Sequence, residues 1–355
     1  RDASQHRLIV LADMGNEPDE EQQMTHMLMC SNEFHVDGLI AVTGKYLRRT
    51  PRPDLFHRLI DHYAEVVDNL RLHAEGWHEP EDLHGVTAPG QQEYGMEDVR
   101  VGHSSPGAKV IVKALERDDP RLILVVINAG SNTLAQALRD YEASHSRAAL
   151  DTAVAKLRVF ENGAQDDAGA WICSRYPAIQ WIRSNYQTYC YGGPDDYGNP
   201  DIPVMLWPNF WEPYESTPCG QHQWALEHII ANHGKLGNCF PLRIFPTGIL
   251  GFIEGGGTIP WMGLLQRGVY SLDHPHWGGW SGRFSRDKVE NAWSRHAEIK
   301  AAEEKVAPFY VYTETGDRWT DPDTGEVYDS DYAPIYRWRR AMFNDFRCRM
   351  DWCVK

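Results

Sequence analysis

Two hydrophobic rhythms alternate along the chain. Short unbroken apolar runs of strand length give way to stretches in which apolar residues recur at helical spacing. Arg7-Leu8-Ile9-Val10-Leu11-Ala12 is the first such run, and a run with no polar interruption reads as a strand buried on both faces. Helical spacing follows over 22–30, and a second buried strand is expected over 37–43. Strand, helix and strand within so short a span make a βαβ unit, which implies a parallel pair. A long helix is predicted over 54–72 and another over 105–116. The clearest strand covers 121–127 and leads through Asn128-Ala129-Gly130-Ser131-Asn132-Thr133 into a helix over 134–141. A short strand over 157–160 runs through Gln165-Asp166-Asp167-Ala168 into a helix ending near Cys173, and 178–184 is a further strand. Helices are expected over 224–232, 289–306 and 335–353. The stretches 77–107, 186–219 and 248–283 are rich in Gly, Pro and aromatic residues and read as loops; 317–331 is acidic and turn-rich. This alternation predicts an α/β fold: a doubly wound, mostly parallel sheet with helices on both faces. The 355 residues suffice for one large α/β domain or two smaller ones.

Ligands of open α/β sheets bind beyond the carboxyl ends of the strands. Three segments share the form of apolar strand, polar turn and helix, so their turns are expected to converge. The first, Asp13-Met14-Gly15-Asn16-Glu17-Pro18-Asp19-Glu20-Glu21, carries five carboxylates in nine residues. A helix start accounts for Asp19 to Glu21, since acids suit a first turn and Pro18 suits helix entry. It does not account for Asp13, Asn16 and Glu17. A hard cation such as Ca²⁺, or the hydroxyls of a sugar, would relieve the mutual repulsion. Asp166 and Asp167 read either as a helix start or as contacts to the same ligand.

Net charge is −15 with no basic run, which argues against a nucleic acid polymer as partner. No apolar run reaches membrane-spanning length. The seven Cys are scattered without a CxxC pair, which argues against a structural zinc site. The chain begins at Arg1, which reads as the start of a processed product. Thirteen Trp are many. Trp277 and Trp280, in a loop with Gly278, Gly279 and Gly282, suit either core packing or the lining of a sugar cleft. His274 and His276 adjoin that loop, and His274 is a candidate acid for leaving-group protonation.

The strand and turn from Ile9 to Glu20 resemble the N-terminal fingerprint of the nucleoside hydrolase superfamily, an apolar strand followed by D-T-D-P-G-x-D-D. The variant here is similar to a branch described as cellulose-binding protein of the Sde182 type, with a nucleoside hydrolase-like domain. Ser31-Asn32-Glu33-Phe34, His73-Ala74-Glu75-Gly76, the run from Asn132 to Leu138, Gln165 to Gly169, Tyr336-Arg337-Trp338-Arg339 and Asp351-Trp352-Cys353 support that branch. The resemblance implies one nucleoside hydrolase-like domain over 1–355, without the C-terminal β-sandwich often found in the branch. It also implies a calcium ion at the carboxyl edge. Asp13 and Glu20 would ligate that ion together with the Asn132 carbonyl, and Asp19 would meet a sugar hydroxyl. Two acids of the family pattern are missing. Gly15 stands where the second acid of D-T-D falls, with Asn16 and Glu17 beside it. Gly256 stands in a segment where an Asp is expected, leaving Glu254 as the substitute ligand.

Three functions follow as expectations. The first is Ca²⁺-dependent hydrolysis of an N- or O-glycosidic bond. Asp13, Glu17, Asp19 and His274 would be catalytic, and Asn16, Asp166, Asp167, Trp277 and Trp280 would hold the saccharide. The second is a non-catalytic carbohydrate-binding protein with a degenerate site. The third is a nucleosidase. A saccharide or glycoside is the expected partner, homo-oligomerisation stays open, and a secreted or periplasmic location is inferred from the branch alone.

Overall fold

The computed structural model describes residues 5–186, 223–242, 253 and 255–354. The expected alternation is present. Strands β1 (His6–Ala12), β2 (Phe34–Ala41), β3 (Thr87–Pro89), β4 (Ile123–Ile127), β5 (Leu157–Asn162), β6 (Gln180–Ser184), β7 (Phe284–Lys288) and β8 (Tyr310–Glu314) form one sheet in the order β3-β2-β1-β4-β5-β6-β8-β7. All neighbours are parallel except β7, which runs antiparallel to β8. A small hairpin, β9 (Asp317–Thr320) with β10 (Val327–Ser330), stands apart.

The central strands divide their apolar side chains between two layers, as the period of two requires. Leu8, Val10, Leu39, Leu124, Val126 and Phe160 enter one cluster. Ile9, Leu11, Ile40, Val125, Ile127 and Val159 enter the other. The first layer is covered by α1 (Asp19–Leu28), α2 (Pro53–Ala64) and, late in the chain, α8 (Arg339–Asp351). The second is covered by α3 (Pro106–Glu116), α4 (Asn132–Ser144), α5 (Arg147–Ala155) and α6 (Ala168–Arg175); α7 (Ala297–Glu303) follows β7 in the chain. Ser105 caps α3, its hydroxyl accepting from the Ala108 amide at 3.2 Å.

Several elements differ from the sequence expectation. The 289–306 helix is reduced to α7 and a single 3-10 turn. Residues between them are drawn into a buried charge network: Arg183 donates to the Ala292 carbonyl (3.2 Å) and the Ser294 amide donates to Glu303 (2.9 Å). The 54–72 helix stops at Ala64 and resumes as a short turn over Val67–Leu70. The 77–107 excursion contributes the edge strand β3. Helix α5 and the hairpin arise where no element was expected. The 186–219 loop lies almost wholly outside the described residues.

Strand order reverses between β1 and β4. Chain connections leave β1 toward β2 and β3, then return to β4 and continue away. Such a switch point opens a crevice at the carboxyl ends of its two strands. Asp13 directly follows β1 there, and Asn128 directly follows β4.

Candidate functional site

The turn after β1 is shaped by one glycine. Gly15 has φ +87°, and a Cβ there would lie 2.6 Å from Leu55 Cδ1. An acid at this position would need a left-handed backbone and would collide with α2. The tight turn, closed by the Asn16 amide on the Asp13 carbonyl at 3.2 Å, leaves the Asp13 carboxyl buried at the crevice floor, 4 % exposed.

Two acids share this floor. Asp13 Oδ2 has no hydrogen-bond partner among the described residues. Gly44 faces it, since a Cβ at Gly44 would come within 3.1 Å of that oxygen. Burial pushes the Asp13 carboxyl well above the usual carboxylate range, and the charges of Asp19 and Glu17 push in the same direction. Glu20, in the first turn of α1, is likewise buried. Burial raises it first, then the charges of Asp19 and Asp13. Hydrogen bonds from Asn128 Nδ2 (3.3 Å) and Gln23 Nε2 (3.1 Å) oppose the shift. Both acids thus tend to hold a proton in the folded chain.

A chain of amides completes the floor. Asn162, the last residue of β5, donates to Asn128 Oδ1 at 2.7 Å. Its own Oδ1 is buried without a partner among the described residues. Gln165 donates to the Asn128 carbonyl at 3.0 Å and accepts from the Lys45 amide at 3.2 Å. Asn128, Asn162 and Gln165 were not among the sequence candidates. The available signal was positional: Asn128 directly follows the apolar run of β4 and Asn162 closes β5, both at carboxyl strand ends.

Asp166 and Asp167 are brought to the same edge but are already engaged. Asp166 is fully buried and accepts from the Asn132 amide (3.1 Å) and the Ala168 amide (3.0 Å), tying together the starts of α4 and α6. Burial outweighs these donors and pushes its carboxyl up to about 7. Asp167 accepts from the Met96 amide at 2.8 Å. Together with Tyr94 Oη on the Gln165 carbonyl (2.7 Å), it fastens the 77–107 excursion to this edge. Asn16, Glu17 and Asp19 stand half-buried in the β1 turn.

Three expected members fall elsewhere. The loop carrying His274 and Trp277 is fixed at the amino edge of the sheet: Asp273 pairs with Arg158 near the start of β5 (2.5 Å), and Gln180 at the start of β6 donates to the Leu272 carbonyl (2.5 Å). Along β1 that is roughly 20 Å from Asp13, at about 3.3 Å per residue. His274 and Trp277 therefore do not complete the acid pocket. Trp280 is a core residue, 3 % exposed. The reason is that 255–283 crosses from one edge to the other. Gly256 and Gly257 meet the Asn162 and Asn128 side chains, whereas Trp261, Met262, Leu264 and Leu272 pack into the first core layer.

A calcium ion takes about six to eight oxygens, and the described residues fall short of that shell. Asp13 and Glu20 offer carboxylates. Asn132 opens α4 and is tied to other partners. Its amide and side chain donate to Asp166 and to the Glu93 and Gly95 carbonyls instead. Among the described residues no group of three or more His, Cys, Asp and Glu side chains converges at metal-holding distance. Glu254 lies outside the described residues.

A six-strand core in the order 3-2-1-4-5-6 with an acidic turn at its switch point makes a doubly wound α/β protein, whose fold is shared with a nucleoside hydrolase-related structure. The chain belongs to the family described as cellulose-binding Sde182, nucleoside hydrolase-like domain, whose model matches residues 7–284. It is similar to a solved structure described as a nucleoside hydrolase-related hypothetical protein from Saccharophagus degradans that is associated with carbohydrate metabolism. The identity is 30 % and the TM-score 0.76, over 99 % of this chain and 72 % of that one. No curated protein matches the chain. Among the described residues, no helix is long and apolar enough to cross a membrane.

Proposed function

We propose that the chain binds a saccharide in the acid pocket at the β1/β4 switch point, without needing a metal ion to do so. The observation that carries this reading is the pair of unpartnered buried oxygens, Asp13 Oδ2 and Asn162 Oδ1, flanking Glu20 and Asn128. Buried polar atoms lacking partners call for a ligand or water. A carboxyl that holds its proton offers one donor and one acceptor, and so does a sugar hydroxyl. Asp13 and Glu20, both shifted upward, together with the amides, therefore match adjacent hydroxyls of a neutral sugar. The family description as cellulose-binding and the association of the solved relative with carbohydrate metabolism point to the same ligand class. A secreted or periplasmic location accords with this reading.

A second reading is calcium-dependent hydrolysis of a glycosidic bond, favoured by Asp13 keeping a free oxygen beside Asp19 as a base would. Calorimetric titration with cellohexaose, in chelator and again in Ca²⁺, separates the two. Binding of similar affinity in both, with the sugar recovered intact, is the expected result. Binding or cleavage that appears only with Ca²⁺ would move the assignment to the hydrolase.

A further inference from the structure

The amino edge of the sheet holds a cleft of about 1010 Å³, on the side opposite the acid pocket. We propose that this cleft is a second saccharide site, which takes a neutral oligosaccharide and lies separate from the pocket at Asp13.

Four features lead to it. The cleft is at the top of the roughly 300–1,000 Å³ range of small-molecule pockets, which suits several sugar rings better than one. Tyr270 and Trp352, both half-buried, supply aromatic walls, against which the C–H face of a sugar packs. Gln5 Oε1 and Tyr270 Oη, both on lining residues, are buried without partners among the described residues. One is an acceptor and the other a hydroxyl, so the pair complements sugar hydroxyls. Finally, the charges on the wall balance. Arg349 is paired with Glu33 and with Asp345 (2.7 Å), and Arg267 adds one further positive charge against the second acid. An ionic ligand would meet no excess of opposite charge there.

An exposed aromatic platform stands on the same edge of the sheet as the cleft. His6, at the start of β1, lines the cleft, and the 272–277 loop is anchored at the same edge of the sheet by Arg158 and Gln180. Trp277 is 67 % exposed on that loop. His274 stacks against it at 4.1 Å between ring centres, holding the indole in one orientation. The anchors to Arg158 and Gln180 fix the loop itself. A chain of sugars leaving the cleft would meet this flat surface next.

The proposal does not depend on the acid pocket, and one set of titrations distinguishes the two. Cellohexaose is titrated into the full chain and into Tyr270→Phe, Trp277→Ala and Asp13→Asn. Tyr270→Phe keeps the ring, and Trp277→Ala changes an exposed residue, so both variants are expected to fold. The expected result is two sites in the wild type. One should weaken about fivefold in Tyr270→Phe, the size of one lost hydrogen bond, and about tenfold in Trp277→Ala. Asp13→Asn should leave this site unchanged. Cleft variants that titrate as wild type overturn the second site while leaving the acid pocket standing. A single site lost only in the cleft variants supports the cleft and overturns the acid pocket. No binding by the wild type overturns both.

Discussion

Arg183→Met is expected to destabilise the fold by about 3–5 kcal/mol, the usual loss when one partner of a buried ionic group is removed. Arg183 is 3 % exposed on β6. Its Nε donates to Glu161 Oε2 at 2.8 Å and its Nη1 to Glu303 Oε1 at 2.6 Å. The two carboxylates keep the guanidinium charged despite its burial. Glu161 also accepts from Trp181 Nε1 (2.9 Å) and Ser131 Oγ (3.2 Å), so the network reaches the start of α4. Ser294, held by Glu303, donates to the carbonyl of Ala164, whose φ of +47° marks strained backbone just before Gln165 and Asp166. Without Arg183, Glu161 and Glu303 are left buried with no counter-charge, and Glu303, whose carboxyl burial already raises, loses the charge that opposes that shift. The loss should therefore be largest near neutrality and should shrink as pH falls toward the ordinary Glu range near ~4.3. Denaturant melts at pH 7 and pH 4.5 check this. Adding Glu161→Gln and Glu303→Gln should recover part of the loss, because the three sites form one network.

The second large effect is expected at Asp13, with opposite signs for stability and binding. Asp13→Asn should stabilise the chain near neutral pH by about 1 kcal/mol, a common gain where a functional site carries unfavourable charge. It should also weaken saccharide binding at the acid pocket, since the carboxamide keeps a donor and an acceptor there but moves the donor to an NH2 group. The sign follows from linkage. The folded carboxyl of Asp13 is raised above its unfolded value, by burial first and then by Asp19. Its contribution is most favourable below the unfolded pKa, near ~3.9, and is lost as pH rises toward the folded pKa. Asparagine does not titrate, so the advantage of the variant should fade on acidification. Glu20 and Asp166 are raised as well and favour the fold on acidification, whereas buried His26 and His296, held below the usual imidazole value, oppose it, so the Asp13 effect is read from the difference between the two proteins between neutral pH and about pH 5. Thermal melts of both proteins across that range measure it. A variant less stable than the wild type at pH 7.5 would mean that Asp13 is held ionised by a partner.

Much of this site was legible in the sequence, for a physical reason. The buried strands β1 and β4 carry apolar runs without polar interruption and β2 and β5 shorter ones, so these strands stand out and their carboxyl-terminal turns can be located. The acidic turn at Asp13 to Glu20 follows directly, because the order of elements alone places it at a sheet edge. The family and fold expectations were met on the same basis. Exposed strands gave no such signal. In β9, Asp317, Arg318, Trp319 and Thr320 alternate between half-buried and exposed, and Thr87-Ala88-Pro89 of β3 is too short to show a period. Local pattern also misplaced what depends on long-range routing. The aromatic and histidine content around Trp277 was visible, but not the edge to which the chain carries it. That is decided by the path of 255–283 across the first core layer and by the contacts of Arg158 and Gln180. The amides at Asn128 and Asn162 were overlooked because each is a single polar residue whose role appears only when neighbouring strands align.

The central claim is that Asp13, Glu20 and the amides beside them form a saccharide pocket. A crystal structure of the chain soaked with cellohexaose tests it most directly. Sugar hydroxyls are expected within about 3.2 Å of Asp13 Oδ2 and Glu20. Well-defined sugar elsewhere on the molecule, with none at Asp13, would contradict it.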